Sequence, residues 1–243
     1  LFGRMNWKDQ FLTGFNYSQL IWLILGLMVG VGSIANDNGT NALLVYLSKP
    51  CRKIDYLIGK WMGIFVPLVV GMSVSTGFFY LYGILNFRDY GFLSQDPWLG
   101  LRLIGMLLGA AVFQTSLILG VSSLFNKGRM AGAALSAAYF LMTFFSFLMF
   151  VAWAVSQEGK RGRPNAPLSS TAEKLYYCSF DGLQIGWAKI VLGTDGSPPF
   201  GAGRDVPQIP APPALLIVLP MIAVSLLGVL VAWKRVRAVE VVK

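Results

Sequence analysis

The sequence predicts an all-α, polytopic integral membrane protein, a helical bundle with five membrane-spanning helices. Of its 243 residues, 55% are hydrophobic and only 13% are charged, a composition that fits neither globular nor disordered chains. Five runs of at least 24 residues contain no Asp, Glu, Lys or Arg, whereas a helix needs roughly 20 residues to cross a hydrocarbon core of about 30 Å. Five buried helices would leave a soluble protein of this length almost no polar surface.

The charge-free runs locate the spans within a single transmembrane domain that comprises residues 1–243. The runs are 10–36, 61–87, 103–126, 130–157 and 206–233. The predicted spans are 18–36, 58–85, 101–125, 130–156 and 213–233. Their interiors carry no ionisable residue, which argues against a proton relay, a voltage sensor or an ion-coupled pump, because those devices need charge inside the membrane.

Lysine and arginine are distributed unevenly between the two sets of inter-helix segments. One set comprises segments 37–57, 126–129 and 234–243. With Lys60 at its edge, this set holds ten cations against three acids. The short segments on the other side hold few cations, and the long segment 157–212 has little influence because long segments translocate largely regardless of charge. The first set, with the C-terminus, is therefore predicted to be cytoplasmic.

Two segments on the opposite side carry signals of their own. Residues 1–17 mix aromatic and polar side chains, as is typical of a segment at the membrane interface. Its predicted anchors are Trp7, Phe11, Phe15 and Tyr17. The external segment 157–212 has a proline-free middle, in which Ser170 and Glu173 have the spacing of a capping box. A short external helix, or a pair of helices, is predicted there.

Residues 36–61, NDNGTNALLVYLSKPCRKIDYLIGKW, are a polar and cationic interruption between the first two spans. The first Asn and Gly residues tolerate a left-handed turn and can end one helix and cap another. Residues 41–48 then predict a short amphipathic helix, with Leu43 and Leu47 one turn apart, and Pro50 ends it because proline lacks the amide donor. From the residues alone, lying on lipid and docking on a partner are equally good roles for this helix.

Gln114 is the most polar residue near the middle of a predicted span. It either lines a substrate path or hydrogen-bonds to a neighbouring helix, which is the commoner role of such a residue. Glycine pairs with GxxxG spacing can let helices approach closely, but glycine is also simply common in membrane helices. These pairs are Gly26/Gly30, Gly59/Gly63 and Gly105/Gly109.

Several function classes are disfavoured by what the sequence lacks. It has no histidine, and Cys51 and Cys178 lie in different inter-helix segments, which argues against a metal site, a disulfide framework and histidine-based catalysis. No G-x-x-x-x-G-K-[ST] phosphate loop occurs, so no bound ATP or other cofactor is predicted. The net charge of +9 is divided between two faces, which favours membrane lipids over nucleic acid as its counterpart.

Residues 37–60 resemble the corresponding region of ABC transporter permeases of the type-2 exporter class. The matching residues are Asp37, Gly39, Thr40, Tyr46, Leu47, Ser48, Pro50, Arg52, Tyr56, Gly59 and Lys60. Residues 121–135 are similar to that family's short cytoplasmic turn between its fourth and fifth helices, and 231–241 are similar to its basic C-terminal end. This chain has Asp37 followed by Asn38 where many members carry a Glu-rich pair.

The resemblance implies a fold and a set of contacts. The family has six helices, so its first helix is missing from this chain and the five spans correspond to the second through sixth. The cytoplasmic coupling segment 37–55 would contain the coupling helix that docks on a separate nucleotide-binding ATPase subunit. The implied ATPase contacts are Asp37, Gly39, Thr40, Leu43, Leu44, Tyr46, Leu47, Ser48, Pro50 and Arg52. Gln114, picked out from its position within a span and not from the resemblance, is the candidate for a translocation path.

The predicted function is therefore that of the permease subunit of an ATP-driven ABC exporter, not that of an enzyme. The partner subunit would use the ATP, and a second permease subunit would complete a homodimer or a heterodimer. The expected location is a cell membrane, most simply the bacterial cytoplasmic membrane. The alternative is a structural membrane subunit of a larger complex, which keeps the permease fold without transporting.

Overall fold

The computed structural model describes residues 6–40, 52–88, 92–159, 167–196 and 209–236. Regular structure in these ranges is helical, and none of the described residues forms a strand. The helices are α1 (Trp7–Gly30), α2 (Gly32–Gly39), α3 (Lys53–Phe87), α4 (Phe92–Gln95), α5 (Leu99–Leu124), α6 (Gly128–Gly159), α7 (Pro167–Tyr176), α8 (Phe180–Leu192) and α9 (Ala214–Arg235). The all-α prediction is confirmed.

Five helical stretches are long and apolar enough to cross a membrane. They are Trp7–Gly39, which joins α1 and α2, then Lys53–Phe87, Leu99–Leu124, Gly128–Val155 and Ala214–Arg235. The number of spans agrees with the prediction. Some helices extend well past the predicted span ends, most clearly α1, because the backbone hydrogen bonds of a helix can continue into a flanking polar or aromatic segment.

The chain divides into two units, and each of them contains a part of every apolar helix. The first unit comprises the described residues of 1–19, 73–107 and 139–219. The second unit comprises those of 20–72, 108–138 and 220–243. Because successive spans run in alternate directions, the end of α2, the start of α3, the α5–α6 connection and the end of α9 all belong to the second unit.

Aromatic side chains form part of the core of the first unit. The ring centroid of Trp7 lies 4.9 Å from that of Phe87 and 5.1 Å from that of Phe92. Phe11 also contacts Phe92, with 6.3 Å between centroids, and such aromatic pairs stabilise a core beyond their buried area. The predicted interface anchors that are instead buried are Trp7, Phe11 and Phe15, whereas Tyr17 is exposed.

The predicted short helices between the last two spans are present as α7 and α8. The predicted capping box is wrong, because α7 already begins at Pro167 and Ser170 lies within it. A side-chain cap occurs instead at α8, where the hydroxyl of Ser179 accepts a hydrogen bond of 2.9 Å from the amide of Gly182. This helix ends at Leu192 and is followed by Gly193, whose φ of 66° suits glycine.

Helices α5 and α9 touch backbone to backbone in the second unit. A Cβ atom on Gly228 would lie 2.3 Å from the carbonyl oxygen of Ser116, and one on Gly120 would lie 2.6 Å from Cα of Gly228. Real Cβ atoms do not approach other atoms so closely. Both positions therefore need glycine for these helices to pack as they do.

The glycine pairs picked out by their spacing differ in what they do. Cβ atoms on Gly26 and Gly30 would each lie 2.6 Å from the side chain of Ile118, so this glycine pair allows α5 to pack closely against α1. A Cβ atom on Gly59 or on Gly63 would have no other atom within 4 Å. Only the first of these two pairs provides a close approach within the second unit.

Candidate functional site

The second unit brings together chain segments that are far apart in the sequence, among them those that directly precede and follow residues 41–51. The amide of Gly128, at the start of α6, donates a hydrogen bond of 3.0 Å to Oδ1 of Asn36 in α2. Nζ of Lys53, at the start of α3, lies 4.8 Å from the ring centroid of Trp233 near the end of α9. These ends of four helices constitute the candidate site.

Four of the predicted ATPase contacts lie among the described residues, at the two sides of this site. They are Asp37, Gly39, Thr40 and Arg52. The other predicted contacts lie outside the described residues: Leu43, Leu44, Tyr46, Leu47, Ser48 and Pro50. The described residues thus show the two places where the chain enters and leaves segment 41–51.

Asp37 is held by two side chains of α3. Its carboxylate forms an ion pair of 2.7 Å with Nζ of Lys60, and the hydroxyl of Tyr56 donates to the same carboxylate oxygen, also at 2.7 Å. Tyr56 and Lys60 are one helical turn apart, and the ammonium lies 5.5 Å from the tyrosine ring centroid. Three residues of the motif therefore contact one another and join the two sides of segment 41–51.

Asn38 and Gly39 contact the α5–α6 turn (residues 125–128). Nδ2 of Asn38 donates to the carbonyl oxygens of Ser123 and Phe125, at 3.3 Å each. A Cβ on Gly39 would lie only 2.2 Å from the carbonyl oxygen of Asn126, so the close approach of α2 to this turn requires glycine. The sequence predicted that residues 36–40 end one helix and cap another. The helix does end there, at Gly39 with Thr40 as its C-cap, whereas the predicted second helix lies outside the described residues.

Ser122 of α5 forms hydrogen bonds to backbone groups at the junction between α1 and α2. Its hydroxyl donates to the carbonyl oxygen of Val31 at 2.8 Å and accepts from the amides of Ile34 and Ala35 at 3.1 Å. Amides at the start of a helix have no partner within that helix. A buried hydroxyl from α5 thus stabilises the break between α1 and α2, and no local pattern in the sequence identified it.

Arg52 and Thr40 mark the two sides of the undescribed segment. The carboxylate of Asp55 accepts a hydrogen bond of 3.3 Å from the amide of Arg52, so Asp55 caps the start of α3. Thr40 donates its hydroxyl to the carbonyl oxygen of Asn36 at 2.9 Å, which closes the last turn of α2. Both local contacts stabilise the helix ends on either side of segment 41–51.

The candidate site is electropositive. Its acid Asp37 is paired with Lys60, and Asp55 is exposed. Cationic side chains with exposed surface in this unit are Arg52, Lys127, Arg129, Lys234 and Arg235. Such a surface favours anionic headgroups or an acidic protein surface as its neighbour. Among the described residues, no cluster of three or more His, Cys, Asp and Glu side chains could hold a metal ion.

Gln114 is buried in the second unit, with 5% of its surface exposed. A Cβ on Gly26 would lie 3.5 Å from its Nε2 atom, so the amide faces α1, and its Oε1 atom has no hydrogen-bond partner. Two residues on, the hydroxyl of Ser116 accepts from the indole nitrogen of Trp61 at 3.2 Å. The substrate-path role and the role of hydrogen-bonding to a neighbouring helix both stay predictions for Gln114.

Buried ionisable side chains of the first unit were not predicted from the sequence. Asp96 forms ion pairs of 3.0 Å with Lys8 and 3.4 Å with Arg102. Burial alone would raise the pKa of Asp96, but its contacts with Lys8, the Trp98 amide and Arg102 outweigh it and hold that pKa below the ordinary 3.8. Asp9 accepts a hydrogen bond from the hydroxyl of Thr194. These acids lie outside the charge-free runs, where the sequence shows only isolated charges.

Lys189 is a buried cation in α8 of the first unit. Its Nζ atom donates a hydrogen bond to the carbonyl oxygen of Ile209 and lies 5.9 Å from the ring centroid of Tyr177. Burial lowers the pKa of Lys189 from 10.5 to about 8, and nearby carboxylates, led by Asp195, only partly oppose the shift.

Lys189→Met is expected to reduce the rise of the free energy of unfolding with pH in the alkaline range. Between about pH 8 and 10.5 the unfolded chain binds more protons at Lys189 than the folded chain does, so the free energy of unfolding rises with pH across that window. The variant lacks this contribution. Thermal unfolding in detergent across the window measures it, with Lys174→Met as the control for loss of an exposed lysine. A slope in Lys189→Met equal to that of the parent protein would contradict the assignment.

Comparison with known proteins identifies the family. A family profile described as "ABC-2 family transporter protein" matches residues 11–237, which is more than nine-tenths of the chain. Searches of curated proteins and of solved structures each returned no match. The profile covers all five apolar helices and the candidate site almost completely. The chain therefore belongs to the ABC-2 transporter family, as a multi-pass membrane permease.

Proposed function

We propose that this permease is the membrane-spanning subunit of an ATP-driven exporter and that a separate nucleotide-binding subunit hydrolyses the ATP. The observation that carries the proposal is the candidate site, where the Asp37–Lys60 ion pair of 2.7 Å joins the two sides of segment 41–51. A segment that transmits movement from a partner needs firm attachment at both ends, whereas a passive lipid-facing loop does not. Membership in the ABC-2 family supports the same role.

Segment 41–51 is the proposed contact with the ATPase. Leu43, Leu44, Tyr46 and Leu47 would bury their apolar side chains in a groove of that subunit, as in other helix-in-groove interactions. Ser48 and Pro50 would end the helix, and Arg52 would lie near the lipid headgroups. The basic surface around α3, the α5–α6 turn and α9 would then face the cytoplasm, together with the C-terminus.

A second permease subunit and the surrounding lipids complete the proposed assembly. Closure of two ATPase subunits would displace segment 41–51 of each permease and so switch access to a path formed where the permeases meet. The charge-poor apolar spans are suited to an apolar or amphipathic cargo. The proposed location is a bacterial cytoplasmic membrane.

Leu43→Asp and Leu47→Asp are expected to abolish coupling to the ATPase while leaving membrane insertion intact. A carboxylate in an apolar groove loses its hydration without gaining a partner, so docking is weakened. The measurements are co-purification of the ATPase with the permease and the difference in ATP hydrolysis between the complex and the isolated ATPase. Leu43→Met and Leu47→Met are the matched controls and should retain both.

Two results would contradict the proposal in different ways. Normal co-purification and hydrolysis in both aspartate variants would show that segment 41–51 is not the contact. Isolation of the parent protein in a stable complex without any ATPase would instead favour the structural-subunit alternative.

A further inference from the structure

We propose that Asn36 and Asn38 are positioning residues that make the α5–α6 turn move together with segment 41–51. The inference rests on the proposed function, because it assigns the route by which movement at the ATPase contact reaches α5 and α6. Neither residue belongs to the predicted contact set. Each uses its side-chain amide to bind backbone atoms that are more than eighty residues away in the chain.

The contacts of these two residues are directed at backbone and are therefore insensitive to side-chain rotation in their partners. Asn36 accepts from the amide of Gly128 at 3.0 Å, on the α6 side of the turn. Asn38 donates to the carbonyl oxygens of Ser123 and Phe125 at 3.3 Å, on the α5 side. Both ends of the turn are thus bound to α2.

Steric contact prevents α2 from sliding relative to the turn. A Cβ on Gly39 would lie 2.2 Å from the carbonyl oxygen of Asn126, so there is no room for a side chain there. On the α6 side, a Cβ on Gly128 would lie 3.1 Å from Cα of Gly32. Backbone lies against backbone at both points, so a displacement of α2 must either carry the turn along or break the hydrogen bonds.

The Asp37–Lys60 ion pair connects α2 to α3, so a displacement of one helix is passed on to the other. Asp37 lies between the two asparagines and binds Lys60 and Tyr56 of α3. A push on segment 41–51 therefore reaches α2 and α3 together, and from α2 it passes through Asn36 and Asn38 to α5 and α6. Coupling between distant elements needs such a contiguous set of contacts between rigid helices.

The two asparagines differ in chemistry, which provides a matched test. Asn36 acts as an acceptor, so Asn36→Asp keeps a carboxylate oxygen for the Gly128 amide. Asn38 acts as a donor to two carbonyl oxygens, so Asn38→Asp replaces the donor with an acceptor and leaves these carbonyls facing a negative charge. Both substitutions add the same charge, two residues apart, and keep the side-chain size. We expect Asn38→Asp to release the α5 side of the turn and Asn36→Asp to retain both sides.

The first measurement uses the permease with its ATPase in membrane vesicles. Cys51 and Cys178 are replaced by serine, and Lys127→Cys places a single thiol on the exposed α5–α6 turn. The rate of thiol modification by a maleimide is compared with and without ATP and vanadate. A nucleotide-dependent change in the rate is expected in the parent and in Asn36→Asp, and its loss is expected in Asn38→Asp while the ATPase still co-purifies.

The outcomes separate this inference from the proposed function. If the change persists in Asn38→Asp, or is absent in the parent although its ATPase is bound and active, the inference is overturned. If no ATPase binds the parent, the proposed function fails. The role of the Asn36 and Asn38 contacts is then tested on the permease alone. There a spin label on Lys127→Cys should become more mobile in Asn38→Asp than in Asn36→Asp, and equal mobility would overturn the positioning role.

Discussion

Gly228→Ala is expected to destabilise the second unit strongly, because the added Cβ would lie 2.3 Å from the carbonyl oxygen of Ser116. Overpacking of a tight core costs typically 1–3 kcal/mol, and we expect a loss of about 3 kcal/mol, at the upper end of that range. The obstructing atom belongs to the backbone of α5, so no side-chain rotation relieves the clash. The helices α5 and α9 must separate to accommodate the methyl group.

Thermal unfolding in detergent, followed by size-exclusion chromatography, measures this loss. Gly63→Ala is the matched control, because a Cβ there would have no atom within 4 Å. Alanine is a better helix former than glycine by roughly 1 kcal/mol, so the control should be neutral or slightly stabilising. Equal stability of Gly228→Ala and Gly63→Ala would contradict the close packing of α5 and α9.

Asp37→Lys is expected to open the contact between α2 and α3 by placing two ammonium groups where an ion pair of 2.7 Å now lies. The side chains of Lys60 and Asp37 are 28% and 16% exposed. Water therefore screens the pair partly, and its loss should lie between that of an exposed pair and that of a buried one, at about 1–3 kcal/mol. The hydroxyl of Tyr56 also loses its acceptor.

The charge-exchanged double variant Asp37→Lys/Lys60→Asp should recover part of the stability. Coupling between contacting residues is typically 0.5–3 kcal/mol, measurable as hydrogen-exchange protection at the end of α2 and the start of α3. Arg129→Glu is the control for a charge reversal at an exposed position of the same unit. If the double variant is no more protected than the sum of the single variants predicts, the ion pair does not hold these ends together.

The number of spans and their helical class could be predicted because the hydrocarbon core imposes them. A stretch such as 130–157 has no charge over more than the length needed to cross the membrane, and α6 forms on it. The ends of the helices were less predictable. From the sequence, the aromatic segment that contains Trp7 was predicted to anchor at the membrane interface. In the structure Trp7 packs against Phe92 and is buried in the core.

The candidate site was predictable only in part, since its motif residues are adjacent in the sequence but their partners are not. The resemblance drew attention to Asp37, Tyr56 and Lys60 one by one. That they bind one another follows from the packing of α2 against α3. Asn38 appeared as a departure from the family pattern, and its role depends on carbonyl oxygens supplied by the α5–α6 turn.

By itself the sequence determined that this chain is a five-span helical membrane protein, because hydropathy and charge act locally and accumulate along each segment. Only the tertiary structure decided which polar groups meet: Asn36 with Gly128, Ser122 with the break between α1 and α2, and the buried Lys189 with the Ile209 carbonyl. Hydrogen bonds and ion pairs act over about 3 Å. Their partners are therefore set by how distant segments pack, which no run of neighbouring residues specifies.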